Sequence, residues 1–462
     1  MDSSLTRART LVVVLATITS LLILEVGLVL TGTGAAEAIP PFARRYGVTC
    51  QTCHVIIPKL NEFGEAFRLN GYQIAEDDEI YVRDEPLQLG AEPWRDLFPE
   101  AIWPGDIPGL PPLGLRFISD VQWTASAAGI DGNPDTRWSF IFPAEVELLT
   151  GGRLGDSIGF FGEIEWKQNS AVEIEQAYLH FDVAGPVNLR IGLMDPQLLL
   201  QHDDTTRVGK QHPLWGSGRL SDWQVDGFGS SPNTFRLRDP QAGIELNTLI
   251  GRRFMLGAGL VNGSGNRRFD ADNGKDVYVK AKLKILGRDF HGTGPEPQHA
   301  RGKPMANYSV LLEGFGYWGS LRVDGTTDRF RYVGGGARLL VRDLDLSVGL
   351  VRGRHDNPWF TSPQTGTDGL SWYARADYTF YPWLLGRVLY EQLEWDEPAG
   401  GGVGTGYEGS LDQERIVFGP VASVRANLRV LLEAELYTRH RAAEVNGLAQ
   451  PSNVWVRIDY VF

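Results

Sequence analysis

DVYVKAKLKIL, residues 276–286, alternates without a break. Val277, Val279, Ala281, Leu283 and Ile285 fall on one side of an extended chain, and Asp276, Tyr278, Lys280, Lys282 and Lys284 fall on the other. A helix would scatter these residues around its circumference, whereas a strand sends successive side chains to opposite faces. NLRVLLEAELY, residues 427–437, repeats the pattern: Leu428, Val430, Leu432, Ala434 and Leu436 oppose Asn427, Arg429, Glu433 and Glu435. A strand of a soluble sandwich has the same period, so segment length and chain ending must decide. Segments of about ten to twelve residues match a tilted bilayer crossing. The chain ends VWVRIDYVF, with Val454, Val456, Ile458, Tyr460 and Phe462 on one face. A terminal aromatic closing an alternating strand is the usual ending of a bacterial outer-membrane barrel. Beyond the N-terminal region no apolar run is long enough for a helical span.

Working outward, alternation dominates from Gly114 to the end, and about sixteen strands fit, the first starting near Gly114 and the last near Asn453. Connections near 150–156, 184–185, 249–251, 342–343, 380–382 and 425 read as tight. Those near 196–240, 263–274, 319–327, 355–368, 396–412 and 440–452 read as longer. This is the asymmetry of short periplasmic turns and long external loops. Two connections depart from it: 169–171 is short on the outer side and 287–306 long on the inner side. The 55 glycines fit a turn-rich β protein, and the net charge of −13 argues against a nucleic-acid partner, which needs a basic face.

Before the strands come three segments of different character. Residues 1–38 read as a signal peptide: Arg7 and Arg9, an apolar run from Leu11 to Leu30, then Ala36-Glu37-Ala38 at the cleavage position. An uncleaved anchor is the competing reading, since the run is long enough to span; Glu25 within it favours cleavage. Cleavage removes two arginines and three acids (Asp2, Glu25, Glu37) and takes the charge from −13 to −12. Residues 76–113 hold an acidic cluster, Glu76 to Glu79, and seven prolines from Pro86 to Pro112, the composition of a solvated linker.

Between them, residues 39–75 carry GVTCQTCHVI (47–56) with both cysteines of the chain. In an exported protein a Cys pair could form a disulfide, but two intervening residues close a loop that staples little. Zinc would need two further ligands, and no second Cys pair exists. C-x-x-C-H has another use: two thiols one turn apart add to the haem vinyl groups, and the adjacent imidazole reaches the iron. Cys50 and Cys53 are then the covalent haem positions and His54 the proximal axial ligand to the haem iron. PKLNEFGEAFRLNGY (58–72) predicts a helix that starts at Pro58, carries Leu60, Phe63 and Phe67 on one face toward a porphyrin and stops at Asn70-Gly71.

AIPPFARRYGVTCQTCH, residues 38–54, resembles the A-x-P-x-F-A-R-x-x-G-x-x-C-x-x-C-H pattern of the outer-membrane monohaem cytochrome–porin fusions. The likeness continues through Pro58, Leu60, Asn61, Phe63, Gly64, Phe67, Asn70, Gly71 and Tyr72. The best-known members of that family oxidise iron(II) at the cell surface. The resemblance implies one haem c on a short N-terminal segment fused to a barrel of about sixteen strands, a lumen wide enough for that segment to plug, outer-membrane lipid around the wall, and a periplasmic electron carrier as partner. The expected function is electron transfer across the outer membrane, with possible iron(II) oxidase activity. A passive or sensing porin that carries haem is one alternative, and outward flow to an external acceptor is another.

The haem segment offers no second strong iron ligand, so a distal ligand, if the iron takes one, must come from elsewhere in the chain. His202, at the base of the longest loop, and Met194, in RIGLMDPQ, are the candidates, with His180 on the preceding strand behind them. Glu163, Glu165, Glu173 and Glu175 face one way and could hold an entering cation, since hard cations take oxygen ligands; ordinary polar lining of a wet pore is the plainer reading.

Overall fold

The computed structural model describes residues 41–57, 59–74, 78–83, 97, 112–126, 135–154, 158–168, 170–184, 186–199, 224–226, 229–263, 274–292, 308–396, 402–403, 412–440 and 452–461. The leader 1–38, most of the 76–113 linker, His202 and Phe462 lie outside the described residues.

Sixteen long strands among the described residues form the barrel. They are β1 (Leu113–Ser126), β2 (Asp135–Leu154), β3 (Ile158–Lys167), β4 (Val172–Ala184), β5 (Val187–Met194), β6 (Gln241–Ile250), β7 (Phe254–Val261) and β8 (Asp276–Leu286), then β9 (Tyr308–Val323), β10 (Thr326–Val341), β11 (Leu344–His355), β12 (Thr367–Tyr381), β13 (Leu384–Trp395), β14 (Gln413–Arg425), β15 (Leu428–His440) and β16 (Ser452–Val461). Each pairs antiparallel with its neighbours in sequence, and β16 pairs back onto β1, so the ring is closed. Closure is what a bilayer demands, because an open edge would leave backbone donors and acceptors in hydrocarbon.

Alternation decides which side chains meet lipid. On β8, Val277, Val279, Leu283 and Ile285 are exposed while Lys280, Lys282 and Lys284 are buried. On β16, Ile458 and Tyr460 are exposed and Asp459 is buried. The apolar face therefore looks outward and the charged face inward, the reverse of a soluble protein. Aromatic residues border the belt: Tyr308, Tyr378, Phe380, Tyr381 and Trp383 at the end of the tight turns, Trp318 and Trp138 toward the other.

The turns at 251–253, 342–343, 382–383 and 426–427 are tight and mark the periplasmic end. One expected outer loop is corrected. Residues 319–327 are not a loop: β9 and β10 run through them and are joined by Asp324-Gly325 alone, with Val323 opposite Thr326. Both central residues have positive φ, 48° and 84°, the backbone of the two-residue turn that matches strand twist.

Part of the inner wall is covered by protein. Leu198, Leu199, Phe235 and Leu237, from the long connection after β5, pack among Tyr278, Phe315, Tyr317, Phe330, Tyr332, Val351, Leu393 and Val417 of the wall. Tyr317, Val351, Leu393 and Val417 are 0% exposed. Within the same outer connections, Gln224–Asp226 pairs with Gly402–Val403 and with Gly229–Ser230.

Candidate functional site at the Cys50–His54 turn

Two short helices, α1 (Pro41–Tyr46) and α2 (Glu62–Leu69), flank the cysteines. Cys50–Thr52 is a single tight helical turn, closed by Cys53 N–H donating to the Cys50 carbonyl at 3.2 Å. His54–Ile56 then pairs with Lys59–Leu60, His54 opposite Leu60. The predicted helix from Pro58 is corrected here: Lys59 and Leu60 are extended, and α2 starts only after Asn61. The reason is the cap. Asn61 Oδ1 accepts from Gly64 N at 2.9 Å, the usual satisfaction of a helix's first free amide. The stop at Asn70-Gly71 stands where expected, with φ of +71° at Gly71.

Asn61 also holds the cysteine turn. Its backbone N–H donates to the Cys53 carbonyl at 2.9 Å, and its Nδ2 reaches the carbonyls of Gln51 (3.2 Å) and Thr52 (3.0 Å). Gly64 lies so close beneath that a Cβ there would collide with the Cys53 carbonyl. Sequence reading passed over both as supports; the signal was an Asn three residues before a glycine at a helix start.

Both cysteines are free thiols, each partly exposed. Burial raises the pKa of Cys50 and pushes that of Cys53 up to about 12. Burial thus favours the neutral form of both thiols. Among the described residues no further Cys, His, Asp or Glu gathers around them as a metal-ligand group. Two unpaired thiols on one turn, followed by an imidazole, are the donor set that covalent haem attachment requires, and the residues fit that group.

The segment's charged side chains meet the inner wall of the barrel. Lys59 Nζ lies 2.6 Å from Asp345 and also pairs with Asp377. Glu62 accepts from Lys284 Nζ (3.1 Å) and Ser309 Oγ (2.5 Å), and Glu65 pairs with Arg338. Arg429 donates to the Ile57 carbonyl at 2.6 Å, and Asn70 Nδ2 to the Phe290 carbonyl at 2.7 Å. Val55 and Ile56 pack with Leu340, Leu385, Val421 and Leu431.

The aromatic face is already packed against protein. Phe67 meets Tyr46 edge-on at 5.5 Å between ring centres, and Tyr72 stacks between Phe42 (5.0 Å) and Phe161 (4.9 Å). Phe63 instead faces Gly292. The expected common face of Leu60, Phe63 and Phe67 is thus divided, because Leu60 precedes the helix. Glycines in the wall make the fit: a Cβ on Gly151 would come 2.6 Å from the Phe42 ring, and one on Gly159 would strike the Gly71 carbonyl.

Met194 is 0% exposed and shares a cluster with Tyr46, Phe67, Tyr72 and Tyr178. His180 is buried on β4, and a Cβ on Gly71 would stand 2.7 Å from its ring. Both sit against the N-terminal segment. Of the four glutamates, Glu165 is brought to Glu145 and Glu147, with ligand oxygens within 4.8 Å. Lys167 lies 2.5 Å from Glu165, and Arg116 donates to Glu147 at 2.9 Å, so cationic side chains already serve this cluster. Glu163 accepts from Gln176 at 3.1 Å, and Glu173 is exposed.

No family model and no curated protein matches the chain. Solved structures do. An anion-selective porin from Comamonas acidovorans superposes with a TM-score of 0.50 at 13% identity, over 76% of this chain and 98% of that one. Salmonella typhi OmpF, in complex with daunomycin, gives 0.50 at 13%, over 76% and 97%. OmpT of Vibrio cholerae gives 0.46 at 12%, over 76% and 97%. At these identities the likeness is one of fold. With the closed sixteen-strand ring and its apolar outer face, it makes this chain a porin-like β-barrel of the bacterial outer membrane, in contact with membrane lipid.

Proposed function

We propose that the chain is an electron-transfer protein of the outer membrane, which oxidises extracellular iron(II) or a similar donor and delivers the electrons to a periplasmic carrier, using one haem c held at Cys50, Cys53 and His54. The observation that carries the reading is the pairing of the only two cysteines, both free thiols on one turn, with an adjacent histidine. When bound, the haem supplies a one-electron couple. Cys50 and Cys53 would furnish the thioether sulfurs and His54 a nitrogen for the iron. Asn61 and Gly64 fix the turn's carbonyls against α2. Lys59, Glu62 and Glu65 anchor the segment as a plug in the inner end of the lumen, and Met194 and His180 are the described candidates for a distal ligand.

Passive transport is the competing reading, and the porin fold alone favours it. Against it stands the free-thiol pair beside His54, which passive transport does not use. The test is the Cys50→Ala/Cys53→Ala double variant beside the wild type, both exported with haem maturation active. Wild-type protein should retain haem stain through denaturing electrophoresis and bleach reversibly on reduction and oxidation, with iron(II) as one donor. The double variant should insert as a barrel without stain. Stain surviving in the double variant, or none in the wild type, overturns the reading.

A further inference from the structure

We propose that the outer wall carries a binding site for the phosphate groups of an outer-leaflet glycolipid, formed by arginines where β9, β10 and β11 leave the hydrocarbon belt. Arg322, Arg329, Arg331, Arg352 and Arg354 are all exposed. They share the outward face, since Arg329 and Arg331 stand in the same alternation as exposed Val333, and Arg352 and Arg354 in that of exposed Val348 and Leu350.

Cross-strand register brings them together. Arg331 is directly opposite Arg354, and Arg352, opposite Val333, is its diagonal neighbour. Arg329 is two residues along the same strand. Directly opposed side chains on an antiparallel pair have Cβ atoms roughly 5 Å apart, and like charges so placed repel. Asp368 approaches Arg352 at 3.4 Å and Arg354 at 3.9 Å, and Asp356 approaches Arg354 at 3.5 Å. Those two acids serve Arg352 and Arg354, whereas Arg329 and Arg331 have no acid within ion-pair distance among the described residues, so positive charge is left there on an otherwise acidic chain.

The place identifies the anion. On the other side of Arg331 stands Trp318, directly opposite and exposed on the lipid face. Val333, Leu350 and Leu312 continue the apolar surface from there toward the periplasm. The arginines therefore lie one step beyond the belt at the external end, level with the headgroups and not out among the loops. A ligand must bring acyl chains to the apolar side and negative charge to the polar side. Guanidinium forks suit phosphate oxygens, which accept two parallel hydrogen bonds.

The test uses full-length protein purified in detergent and stripped of lipid. A bis-phosphorylated diacyl glucosamine glycolipid is titrated in, with the dephosphorylated glycolipid and inorganic phosphate as separate probes, and binding is read by native mass spectrometry. Each arginine near an anionic lipid surface contributes about fivefold in affinity. Arg331→Gln/Arg354→Gln should therefore lose roughly 25-fold, and Arg331→Lys/Arg354→Lys should recover most of it. The Gln pair should also raise the thermal midpoint of the lipid-free barrel, because the opposed charges are gone; a structural role would give the opposite shift. Equal binding of wild type and Gln pair, equal binding of the dephosphorylated glycolipid, or full competition by equimolar inorganic phosphate overturns the site.

Discussion

Glu62→Ala should loosen the N-terminal segment from the barrel far more than Lys59→Ala, although both remove one partner from a buried ion pair. The difference follows from what each leaves behind. Without Lys59, Asp345 still has Arg338 at 2.8 Å, and Asp377 still has Arg387 at 3.2 Å and Arg375. Without Glu62, Lys284 keeps no carboxylate among the described residues, and Ser309 Oγ is left with only the Leu286 carbonyl at 3.2 Å. Stranding a buried charge costs about 3–5 kcal/mol, whereas a pair whose survivors remain compensated loses about 1 kcal/mol, nearer the worth of an ordinary contact. Release should thus shift by roughly two to three and a half powers of ten for Glu62→Ala and by less than about tenfold for Lys59→Ala. Limited proteolysis of the folded barrel in detergent reads this directly as the cleavage rate between residues 41 and 74, with planar-bilayer conductance as a second measure. If Lys59→Ala releases the segment as much as Glu62→Ala, or if neither changes cleavage, the segment is not held by these pairs.

Three further outcomes are expected. In protein exported without haem maturation, a Cys50→Ser background should alkylate slowly at Cys53. The rate should rise about tenfold per pH unit from 8 toward 12, because burial favours the neutral thiol and only the thiolate reacts; a plateau near pH 9 would contradict it. Gly325→Val should slow barrel assembly and lower thermal stability by about 1–2 kcal/mol, since φ is +84° there and a β-branched residue pays strain; an unchanged unfolding midpoint would count against the turn. Met194→Leu and His180→Phe should each leave covalent haem intact, and the variant that removes a distal ligand should alter the haem absorption spectrum and midpoint potential. If neither alters them, both residues only pack.

The barrel was legible because its signal is local. Alternation in residues 276–286 or 452–461 needs no knowledge of a partner strand, and the first and last starts, read near Gly114 and Asn453, fall beside the observed Leu113 and Ser452. Two local signals were available and unused. Asp324-Gly325 between alternating runs is a strong hairpin mark, and Asn61 is a better helix start than Pro58 because its side chain can take the first amides. The interior was illegible for a different reason. Glu62 finds Lys284 across 222 positions, and Arg338 finds Glu65 across 273. In sequence, an inward lysine that will pair with the N-terminal segment looks the same as one lining a water-filled pore. The cysteine turn stood between these cases: its donors were plain in C-x-x-C-H, but its supports were not.

The closed ring sets the order of events in assembly. Residues 41–74 precede β1 in the chain, yet their side chains touch β2, β4, β9, β10, β11 and β15. A ring hydrogen-bonded all the way round, with β16 sealed to β1, offers no lateral opening. The segment must fold before the seam between first and last strand forms, so that the sheet wraps it, or it must be threaded afterwards through the periplasmic mouth. Contacts on so many strands favour wrapping, in which the segment acts as the mandrel on which the sheet is wound. A cysteine crosslink locking β16 to β1, formed before the N-terminal segment is supplied as a separate chain, distinguishes the two: a wrapped barrel will then fail to take the segment up.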